Sequence, residues 1–398
     1  MNLKSLIISM SILMSGFSVN AETSSELLRK TVKSVQSRIS VQAYNSNNNQ
    51  LSGLDAWINK SEINWNNSDF GDFEDQKISY KVQFKNREQI KTEQDLLNIG
   101  QSKSQLKLAS ILESKLQQQY ASLIKLIEQQ KHQRFLRQKH TLVKSKLNNW
   151  KLKINSDDFR ADKLQQADLS LDNVWGEMLE NGGALERLRG SKNTVVGNTP
   201  SINKMLQTIQ RILSTGEYQQ YNRRIQKAEM DIKIANKQQQ RYNAQQKLSF
   251  NSFKLEYDNK DEDFGVSVGV KMPVTKNSFD SLQEKQALHY TNLDAQNVRF
   301  EIEDQLREKK NQLQQLYNQW LSTQKVAGKV NSRIKRLAAT TNIDLLLDLK
   351  VQYLAVLKRQ NRFEMQALRQ YISFLNTAGM LAANPYRNWL LAGTPRLF

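Results

Sequence analysis

The stretch that decides the fold is Lys77-Ile78-Ser79-Tyr80-Lys81-Val82-Gln83-Phe84, in which polar and apolar residues alternate strictly. A period of two places successive side chains on opposite faces of a β-strand. An earlier alternating segment begins with Glu62-Ile63-Asn64-Trp65, and the acidic, glycine-containing stretch 69–75 separates the two segments. The pattern therefore predicts a β-hairpin over residues 62–84.

The second half of the chain repeats this pattern, which predicts a second hairpin over residues 252–273. Residues 252–257 alternate, 258–263 form an acidic turn, and 265–272 alternate again. Each hairpin is thus expected to have one apolar and one polar face. The apolar faces carry Ile78, Tyr80, Val82, Phe84, Val266, Val268, Val270 and Met272. The polar faces carry Lys77, Lys81, Lys254, Lys271, Glu62 and Glu256.

A very long helix is predicted after each hairpin. The tracts 86–153 and 276–339 contain no proline, and Leu116, Tyr120, Leu123 and Ile127 follow one another at spacings of four and three. A spacing near 3.5 is typical of coiled-coil seams. Each tract ends in cap-forming residues that precede a new helix, so we expect the chain to turn back and run antiparallel.

The order of these elements predicts a duplicated helix–hairpin–helix unit in a protein that is mainly α with a small β part. The return strand of the first hairpin and the segment 158–162 both have counterparts in the second half at nearly the same separation. The predicted boundaries are a first repeat at 22–190 with its tip at 154–158, a linker at 191–200, a second repeat at 201–379 with its tip at 339–344, and a C-terminal extension at 380–398.

The composition favours narrow helical seams over a thick globular core. Of 398 residues only 4 are Pro and 15 are Gly, and 38% are hydrophobic. The absence of Cys excludes disulfides, thiolate metal sites and cysteine nucleophiles. His132 and His140 are predicted to be exposed, with no second ligand type at metal spacing. Because no Ser-His-Asp order, phosphate loop or catalytic carboxylate pair is found, neither enzyme activity nor a cofactor is predicted.

Residues 1–21 are predicted to be a signal peptide. Lys4 precedes an apolar run at 6–14, and Val19-Asn20-Ala21 supplies the small residues of a cleavage site. The run is too short to cross a bilayer, so the mature chain is expected in the periplasm or beyond. A net charge of +19 indicates anionic neighbours. The export signal and the even spread of Lys and Arg along the helices argue against nucleic acid as a partner.

The apolar side of the predicted sheet must be covered by something other than the helices, because the apolar seams of the helices are expected to pack against one another. Lipid would satisfy it, but open strand edges are not stable in hydrocarbon and four strands cannot close a barrel. Two chains would give eight strands with a filled interior, and three would give twelve strands with a lumen. The predicted strands, of about eight residues, are slightly short of the usual span. The alternative is a half-buried sheet in a soluble protein, which would then be a periplasmic coiled-coil protein with a binding or structural role.

Three features of the chain occur together: the two helix–hairpin–helix halves, the strand end Gly269-Val270-Lys271-Met272-Pro273-Val274, and the segment 341–348 followed by 371–379. With these features the sequence resembles the TolC-type outer-membrane efflux proteins. The resemblance implies a homotrimer with long antiparallel coiled-coil helices. It implies that four strands per chain contribute to a 12-stranded barrel in the outer membrane, continuous with a helical periplasmic tunnel.

The resemblance further implies a passive exit duct of an efflux or type I secretion system, which a periplasmic adaptor protein and an inner-membrane pump would serve. Adaptor-docking members often carry a Val-Gly pair at their tips. This chain has Lys153-Ile154-Asn155 and Ala338-Ala339-Thr340 instead. The resemblance therefore supports the duct, whereas the tips lack the residues typical of adaptor docking. A divergent export or secretion member of the family is an open alternative.

Two sets of candidate functional residues follow from this arrangement. At the tips, carboxylates in the first turns of the returning helices are expected to surround a periplasmic entrance, where they would bind a cation or form a gate with nearby cations. The entrance set is Asp158, Asp162, Asp344 and Asp348 with Arg160, Lys335 and Arg336. By resemblance Asp348 lies near an acidic entrance position of the family, whereas Leu345 stands where an acid is often found. Plain stabilisation of the helix N-termini is the alternative role.

In the sheet, the lysines of the polar face are expected to line the lumen and to bias it towards anions. The apolar faces would contact lipid, with Trp65, Phe84, Phe253 and Tyr257 as interfacial girdles. Solvated strand lysines and ordinary sheet packing are the alternatives, and a register error of one residue would reverse every assignment.

Overall fold

The computed structural model describes residues 23–46, 57–67, 76–157, 159–189, 198–245, 249–259, 262–271, 278–338 and 343–391. The predicted signal peptide, most of the linker, Asp158, Met272 and the tip residues 339–342 lie outside these ranges. The helices are α1 Ser24–Ser46, α2 Arg87–Leu152, α3 Ala161–Arg189, α4 Ile202–Thr215, α5 Glu217–Tyr221, α6 Arg223–Gln245, α7 Ser278–Leu337, α8 Ile343–Thr377 and α9 Met380–Ala383. The strands are β1 Ile58–Asn67, β2 Gln76–Phe84, β3 Ser249–Asp258 and β4 Asp263–Lys271.

The two long helices and both hairpins occur where the sequence predicts them. Helix α2 has 66 residues and α7 has 60. The start of α2 is a reciprocal cap, in which the Gln89 amide donates to Asn86 Oδ1 and the Asn86 amide donates to Gln89 Oε1, both at 2.8 Å. Both halves contain a hairpin, a long helix and a returning helix in that order. Their origin by duplication stays a prediction.

The four strands form one antiparallel sheet in the order β1-β2-β3-β4. Strands β2 and β3 join the two hairpins in a register that runs from Lys77↔Asp258 to Gln83↔Ser252. The strands contain 10, 9, 10 and 9 residues. The prediction of about eight residues was therefore slightly too short. In β1 and β3, bulges after Ile58 and Phe250 extend the strand beyond its strictly alternating part.

The contacts divide the chain into two units. One unit contains Gln36–Ile111 and Gln219–Glu303, which include the sheet and the helical segments next to it. Ion pairs join its helices, such as Lys103 with Asp231 at 2.7 Å and Lys237 with Asp95 at 2.7 Å. None of the described helices has an apolar stretch long enough to cross a membrane.

The other unit spans Met1–Val35, Leu112–Tyr218 and Asp304–Phe398, and its described residues are mainly helical. The predicted seam of α2 is confirmed, since Leu116, Tyr120, Leu123 and Ile127 are all buried. Helix α4 packs against α8. Its buried side chains are Ile202, Met205, Ile209 and Ile212. Ser201 caps its start, and Gly216 ends it at φ 66°, in the left-handed region that glycine favours.

The described residues that follow α8, within the predicted C-terminal extension 380–398, contribute to this core. Trp389 and Leu390 are fully buried. The Tyr120 hydroxyl donates to the Arg387 carbonyl oxygen at 2.9 Å and accepts from the Trp389 amide at 3.3 Å. Burial raises the pKa of Tyr120 far above its usual value, so the hydroxyl stays protonated and can donate. The C-terminal segment is therefore tied to the middle of α2.

Candidate functional site

The register of the sheet keeps every apolar residue of the strands on one face. Pairing carries this face across all four strands in rows, such as Ile63–Tyr80–Leu255–Val266. The other rows are Trp65–Ile78–Tyr257–Phe264, Ser61–Val82–Phe253–Val268 and Ile58–Phe84–Phe250–Val270. The residues predicted for the apolar side therefore share one face, apart from Met272, which lies outside the described residues.

This apolar face is unusually exposed for a folded chain. Ile63 is 74% exposed and Val268 is 59% exposed, while Val82 near the centre is buried. The other exposed apolar side chains of the face are Trp65, Ile78, Tyr80, Phe250, Tyr257, Phe264, Val266 and Val270. Exposed apolar patches of this extent mark a surface that meets a membrane or another protein.

Aromatic residues occupy both end rows of the same face. Trp65, Tyr257 and Phe264 lie in the row next to the hairpin turns. Phe84 and Phe250 lie in the row at the helical end, with their ring centroids 5.5 Å apart. Phe253, which the sequence placed in a girdle, lies in an inner row instead. Aromatic rows at both ends of an apolar band are typical of strands that cross a bilayer.

The opposite face of the sheet is polar and bears ion pairs. Lys77 Nζ lies 2.7 Å from Glu256 Oε1 and 3.6 Å from Asp258 Oδ2, and Lys254 Nζ lies 2.7 Å from Glu256 Oε2. Glu62 pairs with Lys60. Lys81 makes no ion pair with any described residue, although Glu62 and Lys254 are its register partners. Lys271 shares this face by register, opposite Ser249.

At the helical tips, the two predicted acids of α8 are held by the end of α2. Asp344 accepts hydrogen bonds from Lys153 and, at 2.6 Å, from Asn149 Nδ2. Lys153 Nζ also lies 4.9 Å above the ring of Trp150. Asp348 pairs with Lys146 at 2.7 Å. These partners differ from Arg160, Lys335 and Arg336, the cations that the sequence suggested.

Three other predicted entrance residues, Asp162, Arg160 and Arg336, are not brought into this cluster. Asp162 lies in the first turn of α3, Arg160 precedes that helix, and Arg336 lies in the last turn of α7. None of the three makes an ion pair within the part of the chain that the structure describes. In that same part, no group of three or more His, Asp or Glu side chains could hold a metal ion.

Solved structures with this arrangement exist, although no protein-family model and no curated protein matches the sequence. CusC, described for its folding and transmembrane channel formation, superposes with a TM-score of 0.55 at 12% identity, and the match covers 88% of each chain. VceC, an outer membrane protein of Vibrio cholerae, superposes with a TM-score of 0.56 at 8% identity over 90% of this chain and 93% of that chain. A membrane protein from Pseudomonas aeruginosa matches with a TM-score of 0.50 at 11% identity, covering 89% and 87%.

The chain has the fold of CusC and VceC. The resemblance to the TolC-type outer-membrane proteins is thereby confirmed at the level of the fold. At identities of 8 to 12%, the CusC and VceC fold assigns no residue of this chain a role. The two faces of the sheet and the Asp344 cluster are therefore sites that this chain's own contacts define.

Sequence reasoning missed a cation-lined cavity that lies between α2 and α8 in this chain. His132, which the sequence analysis took to be exposed, is half-buried in its wall. Lys358, Arg359 and Arg362 line the same cavity from α8. The signal that points to these three is the close spacing of cations on one helix, but only the packing of α8 on α2 shows what they face.

Proposed function

We propose that three copies of this chain close their sheets into one 12-stranded barrel in the outer membrane of a Gram-negative cell. The helices would then form a periplasmic tunnel, and the whole would act as a passive channel that moves solutes or polypeptide from the periplasm to the exterior. One observation carries this proposal. The apolar face runs in register through all four strands and is left exposed by the described residues.

The need for several copies follows from the edges of the sheet. Strands β1 and β4 each pair with a single neighbour in the described structure, so each leaves a row of backbone groups unpaired. Unpaired backbone groups cost several kcal/mol each in hydrocarbon, which closed barrels avoid. Eight strands from two chains would leave no room for the charged inner face, whereas twelve strands enclose a lumen.

The length and the aromatic ends of the strands also favour a bilayer. Nine or ten residues agree with the roughly 9 to 11 that a transmembrane strand needs. CusC, whose fold this chain shares, is described as forming a transmembrane channel. The resemblance to the TolC-type proteins further implies that a periplasmic adaptor protein and an inner-membrane pump would supply the energy.

A detergent extraction followed by bilayer recording tests this function. We expect the mature chain to leave outer membranes only in detergent, to run as a heat-labile trimer, and to give discrete conductance steps in planar bilayers. Recovery of a soluble monomer after osmotic shock would instead support the competing function, a periplasmic coiled-coil binding protein.

Inverting the charge of Lys81 should shift ion selectivity. Lys77 and Lys254 are engaged with Glu256, whereas Lys81 makes no ion pair with the described residues, so its charge acts most directly on passing ions. We expect the anion-to-cation permeability ratio of Lys81→Glu channels to fall several-fold, because each copy of the chain would replace one positive charge in the lumen with a negative one. Reversal potentials under a KCl gradient measure it. Lys81→Gln should give an intermediate ratio, and an unchanged ratio in both variants would remove Lys81 from the lumen.

We further propose that the Asp344 cluster keeps the periplasmic entrance narrow. The cluster joins the start of α8 to the end of α2 through Lys153 and Asn149. Asp348 and Lys146 extend the junction by one helical turn. Asp162, Arg160 and Arg336 would line the same entrance without forming this junction. Asp158 lies outside the described residues, and we propose it as a further entrance residue.

Asp344→Ala should open the entrance. Removing the carboxylate leaves Lys153 without its anionic partner, so the tips would separate more readily and the resting conductance should rise several-fold. The stability cost should stay within about 1 kcal/mol, because both partners are partly exposed. Asp162→Ala is the matched control, since Asp162 makes no ion pair in the described structure. Equal conductance in the two variants would contradict the junction.

A further inference from the structure

A cavity of about 600 Å³ lies between α2 and α8 within the helical unit. Its walls are residues 128–135 of α2 and 355–365 of α8. Its volume is in the range of pockets that hold drug-sized ligands. It is separate from the Asp344 cluster and from both faces of the sheet.

The cavity carries an excess of positive charge. Four cations line it, Lys131, Lys358, Arg359 and Arg362, against the single carboxylate of Glu128. Glu128 is already engaged by Arg369, and Lys131 lies 2.7 Å from Glu364. The three cations of α8 make no ion pair with any residue that the structure describes. A concave surface lined by one sign of charge attracts ions of the opposite sign.

The same cavity has an apolar side. Met365 is buried and Phe135 is half-buried, and both line it. The His132 ring stacks near Phe135, with the ring centroids 6.2 Å apart and the planes 11° apart. Lys358 Nζ lies 5.2 Å from the Phe135 centroid, so the charged and apolar parts of the wall adjoin.

His132 adds a neutral hydrogen-bonding group to this wall. Burial and then the positive charge of Lys358 lower the pKa of His132, and Lys139 lowers it slightly further. Glu177 of α3 and Glu128 act in the opposite direction with smaller effect. The imidazole therefore stays neutral near pH 7. A neutral, planar ring can contact the apolar part of a ligand and can also hydrogen-bond to its polar part.

We propose that this cavity binds a soluble organic anion that has one acidic group and a flat apolar body. The acidic group would accept hydrogen bonds from Lys358, Arg359 and Arg362, where guanidinium groups favour carboxylate, sulfonate and phosphate oxygens. The body would lie against Phe135 and Met365. This site goes beyond the channel function and does not depend on it, because all its residues belong to one chain.

Calorimetric titration of the detergent-solubilised full-length protein with 2-naphthalenesulfonate tests the proposal. We expect one binding site per chain after subtraction of a titration into detergent alone. 2-Naphthalenemethanol lacks the anionic group and should bind at least about tenfold more weakly, since one charge-assisted hydrogen bond is worth that much. Inorganic sulfate lacks the apolar body and should also bind at least about tenfold more weakly, because it buries no ring against Phe135 and Met365.

Variants of the wall then locate the site. Lys358→Gln/Arg362→Gln should weaken naphthalenesulfonate binding by about tenfold or more. Arg137→Gln/Lys350→Gln is the control, because it removes two positive charges from α2 and α8 outside the cavity. It lowers the net charge by the same amount and should leave the affinity within about twofold. Phe135→Ala should weaken the naphthalenesulfonate while leaving the weaker sulfate binding unchanged.

Three results would overturn the proposal. One is no saturable binding by the folded wild-type protein, and a second is equal loss in the two double variants, which would indicate a diffuse charge effect. The third is tighter binding of a short-chain phosphatidylglycerol than of the naphthalenesulfonate, which would assign the cavity to a lipid. Far-ultraviolet circular dichroism of each variant shows that the helices are intact.

Discussion

Val268→Arg will abolish the stable outer-membrane oligomer. Val268 lies in an inner row of the apolar face, with Phe253 as its register partner, and is 59% exposed in the chain. An arginine on the lipid face of a transmembrane strand costs about 2–4 kcal/mol near the bilayer midplane. The cost recurs in every copy of the chain. We expect little or no heat-labile oligomer in outer-membrane fractions and chain accumulation in the periplasm.

Ser267→Arg is the control for this prediction, because Ser267 precedes Val268 on the same strand and faces the opposite side of the sheet. Its arginine would enter the lumen, where water solvates it, so the oligomer should persist at close to the normal level. If both variants assembled equally well, the apolar face would not contact lipid and the proposed channel would be wrong.

Trp389→Ala should destabilise the helical unit by about 3–5 kcal/mol, the usual cost of truncating a large buried aromatic side chain. Trp389 is fully buried and packs edge-on against Tyr371 at 6.5 Å between ring centroids. The guanidinium carbon of Arg387 lies 4.2 Å from the centre of its ring. Truncation removes all of these contacts together. Urea unfolding followed by circular dichroism measures the loss as a lower midpoint at an unchanged slope.

Two matched variants sharpen this result. Trp175→Ala removes the same side chain from a site that is 52% exposed, and its cost should stay below about 1 kcal/mol. Trp389→Phe should cost much less than Trp389→Ala, because the Trp389 indole nitrogen has no hydrogen-bond partner among the described residues. A cost for Trp389→Ala no larger than that for Trp175→Ala would mean that the C-terminal segment is not part of the folded core.

The strands and the long helices were predictable because their signals are local. The alternation over Lys77–Phe84 predicts a strand with one apolar face. The register of the sheet confirms this, because it pairs most of the apolar residues of β2 with apolar residues of β1 and β3. Helix α4 was also within reach, since its buried residues Ile202, Met205, Ile209 and Ile212 follow at spacings of three and four after a serine cap. The predicted helix–hairpin–helix order already places a helix before the second hairpin, and this spacing would also have given its bounds.

The partners of the tip residues could not be derived from the sequence. The choice of Lys153 over Arg336 as the partner of Asp344 depends on how α8 packs on α2, two helices from different halves of the chain. The cavity at His132 and Arg362 depends on the same packing. The burial of Trp389 likewise needs Tyr120, which is far away in sequence, to receive it. Long-range packing of this kind leaves no periodic signal in either segment.

The pairing of β2 with β3 has a consequence for biogenesis. These strands lie on opposite sides of the helices α2 to α6 in the chain, so their contact has a large sequence separation and closes late. If the chain is exported from its N-terminus, the first hairpin would reach the periplasm before β3. Its apolar side would then stay exposed until β3 arrives, so we expect this chain to need shielding by envelope chaperones during export.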